Sequence, residues 1–331
     1  MQMTMKSLLC MAFLLFSSLL LRNTIVVNAG SVVKMVVVDL HGHGDFTSIQ
    51  KAIDSIPDGN KDWTKIYIKA GVYSEKVNLT KNKGRLVFEG DGPSYTKIQW
   101  GDHCSLSKVS QTSDTATFTS AATDVVFKRI TFMNTYNDIA NPRIAVAMLV
   151  SGDKTSFYDC SFVGIQDTLC DLQGRHYFKN CQIVGAVDFI FGFGQSIYER
   201  CQIVTSRGLL VPGWVTAHGR YEPLQPTGFV FKNCSLTGFS KVYLGRAWGR
   251  YSRVVFYNTF MADIVLPKGW DSWHTPDHGI NTNYGEAGCT GPGADTRARV
   301  PWEKKLNPKY IQQITSITFI DSEGWLINQG R

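Results

Sequence analysis

Charge is scarce in this chain: Asp, Glu, Lys and Arg make up 18% of its 331 residues, against 44% hydrophobic residues. That balance excludes an intrinsically disordered tail, which buries too little apolar surface to offset its chain entropy. The 30 glycines and 11 prolines follow no short period, which excludes a collagen, and the pattern excludes a coiled coil as well. Beyond residue 21 no segment approaches the roughly 20 apolar residues that a helix needs to cross a bilayer. Also missing are a Walker loop, a GxSxG elbow and a dinucleotide fingerprint. His218, His274 and His278 have no ligand spacing with cysteine or carboxylate, so no metal site is expected. Basic residues outnumber acidic ones 34 to 27, a formal charge of +7. They are scattered rather than striped, which argues against a nucleic-acid face and leaves an acidic partner of another kind.

What is present begins with an address. Lys6 precedes an apolar run from Leu8 to Leu21, and Val27-Asn28-Ala29 puts small residues at the −3 and −1 positions of a cleavage site. Residues 1–29 therefore read as a secretory signal peptide, with 30–331 as one domain. Removing Lys6 and Arg22 lowers the formal charge to +5. Cys10 leaves with the signal, and seven cysteines remain. An odd number means at least one is free or paired between chains, and a chain this long needs no disulfide scaffold to fold. Of the sequons at Asn78 and Asn233, Asn78 is the expected glycan site, because Cys234 within the second is expected to be buried or bridged.

The body of the chain repeats. Phe157-Tyr-Asp-Cys160, Phe178-Lys-Asn-Cys181, Tyr198-Glu-Arg-Cys201 and Phe231-Lys-Asn-Cys234 share one pattern, their cysteines spaced by 21, 20 and 33 residues. Val125–Phe132 is an earlier turn of the same kind, and Val254–Asn258 a later one. Short β-type runs end at Gly, Asn or Asp, and no helical pattern is long enough for βαβ crossovers. A period of about 20 residues built from strands predicts an all-β parallel solenoid, one coil per repeat. Apolar residues at 46, 49, 52, 53 and 56 predict a short amphipathic helix capping the first coil, with Asp45 or Thr47 as N-cap. The stretch from Asn281 to Lys305 is read as a loop along the coil.

The same period aligns two acids. Asp167 lies seven residues after Cys160, and Asp188 seven residues after Cys181. Adjacent strands lie about 4.7–4.9 Å apart, so the two carboxylates are expected to stack. Repulsion should then raise one pKa while the other stays low, giving an acid and an anion at one pH. An Asp at a turn can also simply bond its own backbone. The shared phase and the apolar Phe189-Ile-Phe191 beside Asp188 favour chemistry. Arg246 could hold one carboxylate ionised by a bidentate contact, and Trp248, Trp270 and Trp273 could serve as sugar-stacking platforms or as packing.

These segments resemble the plant pectin methylesterase (pectinesterase) family. Gly71-Val-Tyr-Ser-Glu75 resembles its GxYxE motif and Gln166-Asp-Thr-Leu169 its QDTL. Asp188-Phe-Ile-Phe-Gly192 is DFIFG, and Leu244-Gly-Arg-Ala-Trp248 resembles LGRPW with Ala for Pro. The similarity runs from about Val37 to Trp325. It implies a right-handed parallel β-helix, without the N-terminal inhibitor-like pro-region of longer members. It also implies hydrolysis of methyl esters on homogalacturonan, with release of methanol. In that reaction Asp188 would be the nucleophile, Asp167 the general acid and then base, and Gln166 an oxyanion donor. Arg246 would keep Asp188 ionised, Trp248 and Trp270 would line the sugar groove, and Phe191 would lie near the scissile group. No cofactor or metal is implied. The implied partners are methylesterified pectin and a proteinaceous pectinesterase inhibitor, with no nucleic acid and no membrane. The implied setting is the cell wall, for a secreted monomer.

Two departures qualify the resemblance. Ile144-Ala-Val-Ala-Met148 stands where the family has a QAVAL-like segment, so Ile144 replaces a second oxyanion glutamine in the substrate site. Losing one such donor typically costs about 10²–10³ in turnover, which makes a weakened or non-catalytic pectin-binding homologue the alternative reading. Cys201 and Cys234 match a family disulfide, whereas Cys160 lacks its usual partner, so Cys160 and Cys181 are expected as buried thiols in a ladder. A third reading, a chain-cleaving β-helix lyase or glycosidase, would call for a calcium-binding carboxylate cluster or for acids around the glycosidic bond.

Overall fold

The computed structural model describes residues 31–105, 111–136, 138–208, 211–273 and 275–330; the segment read as a signal peptide, Cys10 and His274 lie outside them. Among the described residues the strands pair in parallel into sheets of ten, eight and eight, a right-handed parallel β-helix. Val32–Val38 and Asn283–Ala287 add a first and a last strand to sheet 1 alone, and between them eight successive coils contribute one strand to each sheet. In the coil after Gly152 these are Thr155–Tyr158 in sheet 1, Ser161–Val163 in sheet 2 and Leu169–Asp171 in sheet 3.

The repeated tetrapeptide is the corner between sheets 1 and 2. Arg129, Asp159, Asn180, Arg200, Asn233 and Asn258 all take left-handed φ values between 49° and 58°. Asn and Asp reach that region at least cost among residues with a Cβ, which explains why they recur there. The aromatic residue two positions earlier points inward. Strand register sets Phe157, Phe178, Tyr198, Phe231 and Phe256 directly above one another, and their rings stack at 4.7, 4.5, 4.6 and 4.5 Å. All five are completely buried. Stacked rings of this kind add about 0.5–1.5 kcal/mol each beyond their burial, so the period itself is a source of stability.

The cysteines that follow stack too. Cys160, Cys181, Cys201 and Cys234 are free thiols, and all four are buried. Cys181, Cys201 and Cys234 donate S–H to the carbonyls of Phe157, Phe178 and Tyr198 at 3.6, 3.5 and 3.2 Å. The expected Cys201–Cys234 disulfide is thus corrected. Equivalent side chains on parallel strands point the same way, and these thiols donate to carbonyls of the preceding coil and contact the thiols above and below without a covalent bond.

Helix α1 (Ile49–Asp54) closes the first coil with Ile49, Ala52 and Ile53 buried. Its N-cap is Ser48, not Asp45 or Thr47; Asp45 instead accepts the Val37 N–H at 2.8 Å. Glu75, the acid of the GxYxE motif, reaches back to the same helix end. It accepts from Ser48 Oγ at 2.8 Å and from the Ile49 and Gln50 amides at 3.0 and 3.1 Å. The loop read for 281–305 also contains Asn283–Ala287, the last strand of sheet 1. Helix α2 (Pro276–Asn281) precedes it. Helix α3 (Pro308–Thr315) follows, and its Ile314 packs with Tyr177, Ile197, Val230 and Val255 over sheet 1.

Candidate active site

Sheet 3 carries the acids. Leu169 pairs with Ile190, and Gln166 bridges to Val187, so Asp167 and Asp188 stand in register on adjacent coils. Both backbones are left-handed, with φ of 60° at Asp167 and 46° at Asp188. Such conformations persist only where surroundings over-determine them, and they cluster at functional sites. The Asp167 amide is fixed on Val187 O at 3.0 Å. The pairing between the Asp188 strand (Val187–Gly192) and the next strand (Gly213–His218) slips between Val187 and Ile190. A bulge re-aims the side chain it carries.

The outward row of this sheet, read through the register, is Leu149, Cys170, Phe191, Ala217, Arg246 and Asp271. Arg246 therefore sits two coils beyond Phe191 and reaches back to Asp188. Its Nε donates to both carboxylate oxygens at 2.8 and 3.0 Å, and its Nη2 donates to Oδ2. Its guanidinium carbon lies 4.2 Å from the Trp214 ring centroid and 3.8 Å from that of Trp273.

Asp167 and Asp188 are 8% and 5% exposed. Burial raises the Asp167 pKa well above the carboxylate range, and the Asp188 charge raises it further while Arg246 opposes. Burial also raises Asp188, against the hydrogen bonds and charge of Arg246 that lower it. The expectation that one pKa would stay low is corrected. Both rise, and Arg246 moderates the rise at Asp188. Asp167 thus keeps its proton to higher pH than Asp188, and the pair offers an acid beside an anion.

The cavity over the pair encloses about 300 Å³. Gln166, Ile144, Phe191, Arg246 and Trp248 line it as expected, joined by Thr112, Ala217 and Trp273. Ile144 sits beside Gln166, its backbone bridged to that of Gln166, and presents an apolar wall at the place of the second amide. Trp270, expected along the sugar groove, is instead 1% exposed and packs inside the coil on Tyr284 at 4.5 Å. The strand Trp270–Asp271 alternates, so Trp270 goes to the core and Asp271 to the outer row. His218 is fully buried, and desolvation lowers its pKa to about 3. It is a neutral core residue. Asn78 stands exposed on the strand Val77–Leu79. Sequence reasoning missed Trp214, Asp271 and Thr112; Asp271 follows from the register of sheet 3 as the partner of Arg246, whereas the strand slip beside Trp214 hides it.

The Pectinesterase family model matches residues 35–323. "Probable pectinesterase 29" of Arabidopsis thaliana is 46% identical over 303 residues, covering 88% of this chain and 89% of that protein. "Probable pectinesterase 55" of the same plant is also 46% identical, over 88% and 89%. Among solved structures, a pectin methylesterase from carrot superposes with a TM-score of 0.83 at 34% identity, covering 88% of this chain and 94% of that one. A pectin methylesterase mutant in complex with a hexasaccharide gives 0.74 at 26% identity, over 86% and 96%. The chain belongs to the pectinesterase family.

Proposed function

We propose that this protein hydrolyses methyl esters of homogalacturonan with Asp188 as nucleophile and Asp167 as general acid and base. The observation that carries this reading is the in-register pair of buried carboxylates, of which Asp188 alone is engaged by Arg246. A carboxylate oxygen of Asp188 attacks the ester carbonyl, and the Gln166 amide donates to the oxyanion that forms. Collapse expels methoxide, which takes the Asp167 proton and departs as methanol, leaving an anhydride between Asp188 and the uronate. Asp167, now a carboxylate, removes a proton from the water that attacks this anhydride. The second collapse releases the free acid, and the protonation states of both aspartates are restored.

The groove walls fit the substrate. Phe191 and Trp248, with centroids 6.4 Å apart, give apolar surface for a sugar face and an ester methyl. Secretion to the cell wall follows from the signal segment, and Asn78 is the glycan site. Methanol release from highly methylesterified pectin tests the reading. Asp188→Ala should abolish release while leaving the fold intact, and full release from that variant would overturn the assignment. The apolar wall of Ile144 favours a second reading, a pectin-binding protein with little turnover. That reading requires wild-type protein to bind pectin and release no methanol.

A further inference from the structure

The groove chemistry accounts for Asp167, Asp188, Gln166 and Arg246 but leaves unexplained the aromatic frame around the arginine. Trp214 and Trp273 lie on either side of the guanidinium, at 4.2 and 3.8 Å from ring centroid to Cζ. The two indoles come from distant parts of the chain, and Asp271 ties them together. Its Oδ2 accepts the Trp214 Nε1–H at 3.1 Å, and its Oδ1 accepts the Trp273 amide at 2.7 Å. Asp271 is the strand partner of Arg246 on the next coil, so the tie is anchored beside the residue it frames. Tyr243 supports Trp214 from behind, with centroids 6.0 Å apart and planes 14° from parallel.

We propose that Trp214, held by Asp271, is a positioning residue: with Trp273 it clamps the Arg246 guanidinium edge-on against the Asp188 carboxylate. The inference rests on the esterase reading for its meaning in catalysis, whereas the clamp itself is a property of the folded protein. A guanidinium has a flat, weakly hydrated face that stacks on aromatic rings. With both faces covered, only its edge remains for hydrogen bonding, and among the described residues Asp188 is its one ion-pair partner. Asp271 does not compete for that edge, because its two oxygens are occupied by the Trp214 indole and the Trp273 backbone.

The groups acting on Asp188 are few. Arg246 lowers its pKa, and Asp271 together with burial raises it. Asp167 faces it from the preceding coil. Tyr284 stands behind, its hydroxyl donating to Arg246 O at 2.8 Å, and burial raises its pKa so that it stays neutral. Arg246 is thus the one cation among them, and loosening it must raise the pH at which Asp188 ionises. An aromatic–cation contact on a partly desolvated guanidinium corresponds to a shift of about one pH unit.

The experiment reads the ionisation of Asp188 directly, by NMR titration of protein labelled with ¹³C at the Asp side-chain carboxyls, using Asp188→Asn to assign the signal. Trp214→Leu should raise the Asp188 midpoint by about one unit, Trp214→Phe should recover most of it, and Trp273→Leu should raise it as well. In active Trp214→Leu protein the acid limb of kcat/KM should move by the same amount with KM within about twofold, since Trp214 is not among the residues that line the cavity. A residue with only a structural role would change thermal stability and leave the midpoint in place. An unmoved midpoint in folded Trp214→Leu and Trp273→Leu proteins would overturn the proposal. The titration needs no turnover, so it fails or succeeds separately from the esterase reading.

Discussion

At position 144 the groove presents a branched hydrocarbon where the proposed reaction calls for an N–H toward its oxyanion. Gln166 remains as an amide donor on the wall, and the Thr112 hydroxyl lies in the same cavity. A donor aimed at the oxyanion acts in the transition state and not in the bound ester, so its effect belongs to kcat rather than to KM. Ile144→Gln is therefore expected to raise kcat by about tenfold or more with KM within about twofold, measured as methanol release. An unchanged kcat would mean that the oxyanion is already served, with Thr112→Ala then expected to lower the rate. Residues at this site differ in how visibly the sequence announces them. Asp167 and Asp188 keep one phase relative to Cys160 and Cys181, so spacing alone aligns them. Trp214 could not be aligned that way, because the coil that holds it runs 33 residues between cysteines instead of 20 or 21, and the strand slips at Val187. Trp270 and Trp273 look alike in sequence. Only the alternation of a two-residue strand sends the first into the core and leaves the second beside Arg246.

Helix α1 shows a motif whose acid belongs to the fold. Tyr73 of GxYxE is fully buried and donates its hydroxyl to Lys69 O at 3.0 Å, while Glu75 accepts from the first turn of the helix. Those amides have no partners within the helix and must be satisfied from outside it. The carboxylate also complements the positive end of the helix dipole. Apolar spacing predicted this helix correctly. The cap was misread because local side chains were weighed without Glu75, which arrives from just beyond the strand Gly71–Ser74, 26 residues away. Glu75→Ala is expected to destabilise the protein by about 1–2 kcal/mol, a fall of a few degrees in Tm by calorimetry. Methanol release per folded molecule should be unchanged, because Glu75 lies outside the groove. Lost activity at unchanged Tm would instead assign the motif to chemistry.

Across the whole molecule, the solenoid was legible because its period is written into four successive coils: a ring for the inner stack, a left-handed Asn, Asp or Arg, then a small thiol for the corner. The strand at 283–287 was not, since Gly and charge mask it and its pairing with Arg253–Tyr257 is a contact between coils. The thiol ladder follows from the same repetition and bears on how the protein resists unfolding. Each coil is bonded along its length to the coils above and below, and the core runs the length of the axis, so cohesion comes from neighbouring interfaces. A chain of this size has no need of a covalent staple. Removing a native disulfide typically costs about 2–5 kcal/mol, which would lower Tm by several degrees or more. The free ladder predicts that secreted protein melts at the same temperature with and without reductant. It also predicts that Cys160, Cys170, Cys181, Cys201, Cys234 and Cys289 all react with a thiol reagent once the protein is denatured without reductant. A reductant-dependent fall in Tm together with two missing thiols would restore the Cys201–Cys234 bridge; equal melting with the full thiol count establishes that stacking alone holds the coils.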